Sequence, residues 1–252
     1  MVLGQLIINA IVIDSIYALI SSGFSLIYAT NKFMHFSHGA TIAFGGYMMF
    51  LFFVTLSLPL LIAAVLAIIV TGGLGLLSYR AIYEPLKRKK SSNVIMLIAS
   101  LGLLVVIENI IHIAFGSNVK TFSYTMGMAS WKIGNIFITP LQVIIVAVSI
   151  VLLALLLYIM RRSTLGKQMR AVADNPELAK ISGIDARRVI EYSFIIGSMI
   201  AGVAGILIGL EQNLVPSLGT RLMIKGFTGA IIGGITSVPG SILGSYILGA
   251  IE

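Results

Sequence analysis

Few side chains in this 252-residue sequence could do chemistry, and they are scattered. Glu108 and His112 lie four residues apart and share a helix face, a spacing that could hold a metal ion or relay a proton. No third ligand accompanies them, so the pair reads first as a polar stripe near the outer mouth of a helix. Asp14 stands inside a long apolar run, where a carboxylate either titrates within a helical bundle or is hydrated near a helix end. Glu211 closes another apolar run. The chain has no cysteine, which excludes a disulfide, a thiolate nucleophile and a Cys-based metal site. It also lacks G-x-x-x-x-G-K-[ST] and H-E-x-x-H, the phosphate-binding loop and the zinc-protease motif. These residues predict no catalytic set and no metal site.

What could position them is a membrane bundle. The chain is 58% hydrophobic and 10% charged, where soluble domains carry about 25% charged residues. Apolar runs of about 20 residues can cross a hydrocarbon core of about 30 Å as helices. Such runs predict spans over 6–30, 40–57, 60–79, 94–115, 140–160 and 192–210, and a broken one over 222–251. The first run has no basic segment before it and is too long for a cleaved signal, so it reads as a retained helix. The fold class is therefore all-α: a polytopic transmembrane helical bundle with discontinuous helices, one membrane domain over 1–252. Trp131 and Tyr124 suit an outer interface.

Charge placement sets the topology. The net charge is +8, and 13 of the 17 Lys and Arg residues fall in segments 31–38, 80–93 and 161–191. The positive-inside rule makes these cytoplasmic and puts the N-terminus outside. The basic excess is then an inner-surface signal, not a nucleic-acid groove.

Segment 161–191 is the long polar stretch of the chain. Leu165, Met169 and Val172 share one helix face, and Lys167, Arg170 and Asp174 another. Asn175 precedes Pro176, which ends that helix near Ala173 and starts a second. Asp174 or Asn175 can cap the second helix, Glu177 suits its positive end, and Gly183 its C-terminal stop. The pattern reads as helix, sharp turn, helix, stop. It predicts docking helices in which Leu165, Met169 and Ile181 fill a partner's groove while Arg170 and Glu177 set the register.

Elsewhere small residues dominate. Gly197, Gly202, Gly205 and Gly209 mark a tight helix-packing face. Residues 221–252 are interrupted by glycines and by Ser237-Val238-Pro239-Gly240, which predicts two half-helices around a break. Gly39 to Ala43 with Gly45 and Gly46 echo Gly226 to Ala230 with Gly233 and Gly234, a faint internal repeat. His38, Gly39, Gly45, Gly233, Gly234, Pro239 and Gly240 are the candidate translocation-path residues, because irregular backbone can offer polar groups to a passing solute.

Three blocks carry a resemblance. They are NKFMHFSHGATIAFGG from Asn31, LGKQMRAVADNPELAKISGID from Leu165 and GFTGAIIGGITSVPGSILGSYILG from Gly226. In series they resemble the branched-chain amino acid permease family of ABC importers, the LivH/LivM type, and are closer to the H-type subunit. Phe36-Ser37 departs from the family's small residues before His-Gly. The family also continues beyond Glu252 with a final helix. The resemblance implies a bacterial or archaeal plasma (inner) membrane permease without enzymatic activity, translocating Leu, Ile and Val. It implies two ATPase subunits that bind ATP, a second permease subunit, identical or homologous, and an extracytoplasmic solute-binding protein. It also implies that 165–185 form the coupling helices. Urea, short amides or other amino acids are alternative solutes, and an ion-coupled secondary transporter using Asp14, Glu108 or Glu211 is the alternative class.

Overall fold

The computed structural model describes residues 2–122, 130–133 and 136–251. The chain is an all-α bundle: α1 (Val2–Asn31), α2 (His38–Phe50), α3 (Leu60–Ser78), α4 (Glu84–Arg88), α5 (Asn93–Phe115), α6 (Pro140–Arg162), α7 (Thr164–Asp174), α8 (Pro176–Ile181), α9 (Ala186–Glu211), α10 (Leu218–Gly233) and α11 (Val238–Ile251). Six helical stretches are long and apolar enough to cross a membrane, or seven if α10 and α11 together make one span. An antiparallel pair, β1 (Trp131–Ile133) and β2 (Ile136–Ile138), precedes α6. Tyr124 lies outside the described residues. Local chemistry marks the helix starts. The Ser92 hydroxyl accepts from the Ile95 N–H at α5, and a Thr139–Gln142 capping box with Pro140 opens α6.

The bundle sorts its helices by a rule opposite to that of a soluble protein. The most hydrophobic window, in α6, is 22% buried, and those of α3 and α5 are 28% buried. The less hydrophobic windows of α1 and α9 are 83% and 78% buried. Lipid is as apolar as leucine, so burial selects instead for close backbone approach and polar satisfaction. The serines of α1 supply the latter: Ser21 Oγ donates to the Gly226 carbonyl at 2.6 Å and lies 2.6 Å from Ser245 Oγ.

Glycines set the helix crossings. A Cβ on Gly23 would lie 3.0 Å from the Gly197 carbonyl oxygen, and one on Gly197 would lie 3.0 Å from that of Gly23. Gly45 meets Gly202, and Gly46 meets Gly205, equally closely at 2.9 Å from the facing oxygens. Gly39 and Gly219 each face the other's carbonyl. They are the second residues of α2 and α10, and each of these helices follows a long helix after a short return, 32–37 and 212–217. The reciprocal match therefore pairs α1–α2 with α9–α10 and aligns Gly39 with Gly219, not with Gly226. Both sequence windows are glycine-rich, which is what made the other register look similar.

Several elements depart from expectation. Segment 80–93 is largely helical, because the chain continues from α3 through a π turn at 79–83 into α4. The wider turn bonds the Glu84 N–H to the Tyr79 carbonyl and brings the chain to Pro85 without a broken end. Similarly, α9 starts at Ala186, where the Asp185 carboxylate caps the Arg187 and Arg188 amides. Segment 32–37 is not a solvated loop. It returns into the bundle, with Phe33, His35 and Ser37 all buried. The break in the last segment lies at 234–237, ahead of Pro239, and the two helices are bent by 115°. Gly234 takes φ +95° there, a conformation that side chains disfavour.

Candidate functional site

The segment expected to dock a partner folds as α7 and α8. Ser163 opens α7 by accepting from the Gly166 N–H at 2.9 Å. Asn175, at the turn, accepts from the Glu177 and Leu178 amides at 3.0 and 3.1 Å and so caps α8. Gly183 ends it with φ +80°, while its N–H bonds the Lys180 carbonyl and that of Ile184 the Ala179 carbonyl. This is the Schellman arrangement, in which only glycine takes the left-handed position without strain. The start and stop of each short helix in this polar segment are thus fixed by its own caps.

Its residues divide by direction. Met169 is 1% exposed and Val172 is buried, so the apolar face of α7 is used inside the chain. Gly166 lies flush on the end of α6, where a Cβ would stand 2.5 Å from the Met160 carbonyl oxygen. The Arg170 guanidinium donates to that same carbonyl. The expectation that Met169 fills a partner's groove is therefore corrected: it holds α7 on the bundle. Leu165 is half-buried, and Arg170, Asn175, Pro176, Glu177 and Gly183 are exposed. The outward apolar surface belongs to α8, where Leu178 is 61% and Ile181 83% exposed.

Behind α7 lies a cavity of about 380 Å³. Ala29 and Thr30 of α1, Met160 of α6, Met169 of α7 and Ser237 to Pro239 at the α10–α11 tip line it. Helix α7 and the bent tip therefore share one space. Ion pairs brace the same face. Arg187 meets Glu84 at 2.9 Å, and the Arg80 guanidinium donates two hydrogen bonds to Glu191 at 2.8 and 3.1 Å. The guanidiniums are exposed and the carboxylates of Glu84 and Glu191 largely buried, an arrangement that orients α4 against the base of α9.

The candidate path residues fall in two places. Gly233, Gly234, Pro239 and Gly240 form the bent tip, with Gly234 and Pro239 exposed. His38, Gly39 and Gly45 are packed inside the bundle. His38 lies against Gly23, and its ring nitrogens have no hydrogen-bond partner of normal geometry among the described residues, although the Ile20 carbonyl is beside it. One turn away, His35 Nδ1 is 2.9 Å from the Tyr83 hydroxyl, and Ser37 Oγ is 3.2 Å from the same nitrogen. Asp14 is buried over Gly249 with Oδ1 unpartnered among the described residues. Glu108 accepts from the Thr220 hydroxyl, while His112 is exposed and sits 3.3 Å from Ser117 Oγ. No three His, Asp or Glu side chains gather into a metal-sized group among the described residues.

Comparison with known proteins resolves what this architecture is. The family described as "Branched-chain amino acid transport system / permease component" matches residues 6–252. The chain belongs to this permease family. The permease is 30% identical to the high-affinity branched-chain amino acid transport system permease protein BraD of Pseudomonas aeruginosa, over 98% of this chain and 84% of the relative. It is 31% identical to LivH of Escherichia coli K12 over the same shares. It is 29% identical to the probable branched-chain amino acid transport permease protein LivH of Methanocaldococcus jannaschii, over 97% of this chain and 78% of that one. No solved structure matches it significantly.

Two features of the permease were missed in its sequence. The His35–Ser37–Tyr83 cluster was hidden because Tyr83 sits in what read as a loop, so its pairing with a histidine 48 residues away had no local signal. The outward position of Leu178 was hidden because a six-residue helix is too short to show a periodic face. The signal that could have found it was Ala179: a small residue between two large apolar ones marks the side that packs.

Proposed function

We propose that this permease is the membrane subunit of an importer that carries Leu, Ile and Val delivered by an extracytoplasmic solute-binding protein. A second permease subunit completes the pore. Two ATPase subunits seat on α8 and the outer side of α7, and they alone bind ATP. The observation that carries this reading is the exposed Leu178–Ile181 pair on a helix fixed by Asn175 and Gly183. A solvent-facing apolar pair on a rigid element at the basic membrane face supports a docking role. Motion at the dock reaches the pore through α7, which shares its cavity with the α10–α11 tip.

The test is co-purification with the partner ATPase from gently solubilised membranes. The double substitution Leu178→Asp and Ile181→Asp is expected to abolish ATPase recovery while leaving membrane insertion and melting temperature unchanged. Full recovery of the ATPase by the double variant refutes the docking surface. Solute is then read with the reconstituted complex, where leucine, isoleucine and valine are expected to stimulate ATP hydrolysis and urea is not.

A further inference from the structure

Basic residues lie on α10 within the depth of the bundle. Gly226 packs on Ile20, near the middle of α1, and Gly229 packs on Ser21 and Ser245. Lys225 is thus level with the middle part of α1, and Arg221 is one helical turn before it. Neither is turned into the core. The inward face of α10 is Leu222, Met223, Gly226, Gly229 and Ala230, all buried. The opposite face holds exposed Arg221 and Ile224 with half-buried Thr220, Lys225 and Thr228. Glu108 of α5 joins this face through its hydrogen bond with Thr220.

A cation on a lipid-facing surface at that depth is costly even by the mildest measure. Two of them one turn apart on one face argue that the face meets water. We infer that the α10 face carrying Arg221, Lys225 and Thr228 is a wall of the solute conduit, and that its two cations receive the carboxylate of the passing amino acid. This deepens, and rests on, the importer reading. A branched-chain amino acid is a zwitterion with an apolar side chain, and the wall has both characters, with Ile224 and Ile231 exposed beside the cations. Glu108 offsets part of the positive charge. A conduit must attract its solute without trapping it, and a weakly positive wall does so.

The chain has no cysteine, so single cysteines report directly on water and charge. Thr228→Cys in the full chain in native membranes is treated with two small methanethiosulfonates, one anionic (sulfonatoethyl) and one cationic (trimethylammonioethyl). Val151→Cys, on the apolar surface of α6, is the lipid-facing control. Thr228→Cys is expected to react, with the anionic reagent about tenfold faster relative to the cationic one than either's rate on free thiol predicts. Lys225→Met should abolish that preference and Lys225→Arg should keep it. If Thr228→Cys is as inert as Val151→Cys, the face is lipid-exposed and the inference falls. If it reacts without charge preference, the conduit is wet but does not select a carboxylate, and the inference falls equally. The labelling needs no ATPase, so loss of docking on α8 and loss of this conduit wall are separate results.

Discussion

α7 and α8 are neighbours in one polar segment, joined through a single residue, yet they use their apolar side chains in opposite ways. α7 turns Met169 and Val172 inward and leaves charge outside. α8 buries only Ala179 and presents Leu178 and Ile181 to solvent. The difference follows from what each helix lies against. Gly166 lets α7 descend onto the end of α6, so its apolar face is satisfied within the chain. α8 springs from the Asn175 turn, and among the described residues Leu178 and Ile181 stay exposed. An amphipathic cytoplasmic helix is therefore not evidence of a docking surface in itself. What marks a dock is apolar area left over after the chain's own packing is complete.

That contrast can be broken or sharpened by substitution. The largest effect is expected from Gly166→Leu, which drives a side chain into the Met160 carbonyl and should destabilise the α6–α7 junction by about 3 kcal/mol. Faster proteolysis within 161–185 in membrane preparations would register it, and an unchanged cleavage rate would show that α7 does not depend on that contact. Met169→Ala should follow, with a loss of about 2–3 kcal/mol from a buried side chain, read as a lower melting temperature. Its ATPase affinity per folded molecule should stay within about twofold, since Met169 faces inward. A selective affinity loss at normal stability would reverse the assignment of α7 and α8. Gly183→Val places a branched side chain at φ +80° and should cost about 1–2 kcal/mol locally, loosening α8 and weakening ATPase recovery with little change in global melting. Smallest is Asn175→Ala, which removes the cap of α8 for about 1 kcal/mol and should show as faster amide exchange at Glu177 and Leu178.

The helical, membrane-spanning character of the chain was legible because each property is local. Twenty apolar residues, a capping Thr139 and a pre-proline Asn175 act within a turn or two of themselves. The helix pair at 164–181 was legible for the same reason: Asn175, Pro176 and Gly183 dictate turn, start and stop whatever surrounds them. Less of the site could be read. Gly45 announces a close contact but not that Gly202 is its partner, since a stripe of small residues fits any other. Met169 and Ile181 look equally fit to dock, because hydrophobicity has no direction until a neighbour occupies one side. His35 and Tyr83 meet only because segment 32–37 turns back into the bundle.

The sequence alone determined that this is a helical membrane protein, where its basic residues cluster, and that a capped helix pair joins α6 to α9. Those outcomes depend on solvent preference and short-range backbone bonding, both of which act residue by residue. Tertiary structure alone decided that the polar, glycine-rich helices are central and the most apolar ones peripheral, and that Gly39 answers Gly219. It alone also decided that α7 faces in while α8 faces out, and that Arg221 and Lys225 lie on the face of α10 opposite its packing face. In lipid, hydrophobicity no longer drives helices together, so close packing and hydrogen-bond satisfaction between distant segments choose among arrangements that composition leaves equal.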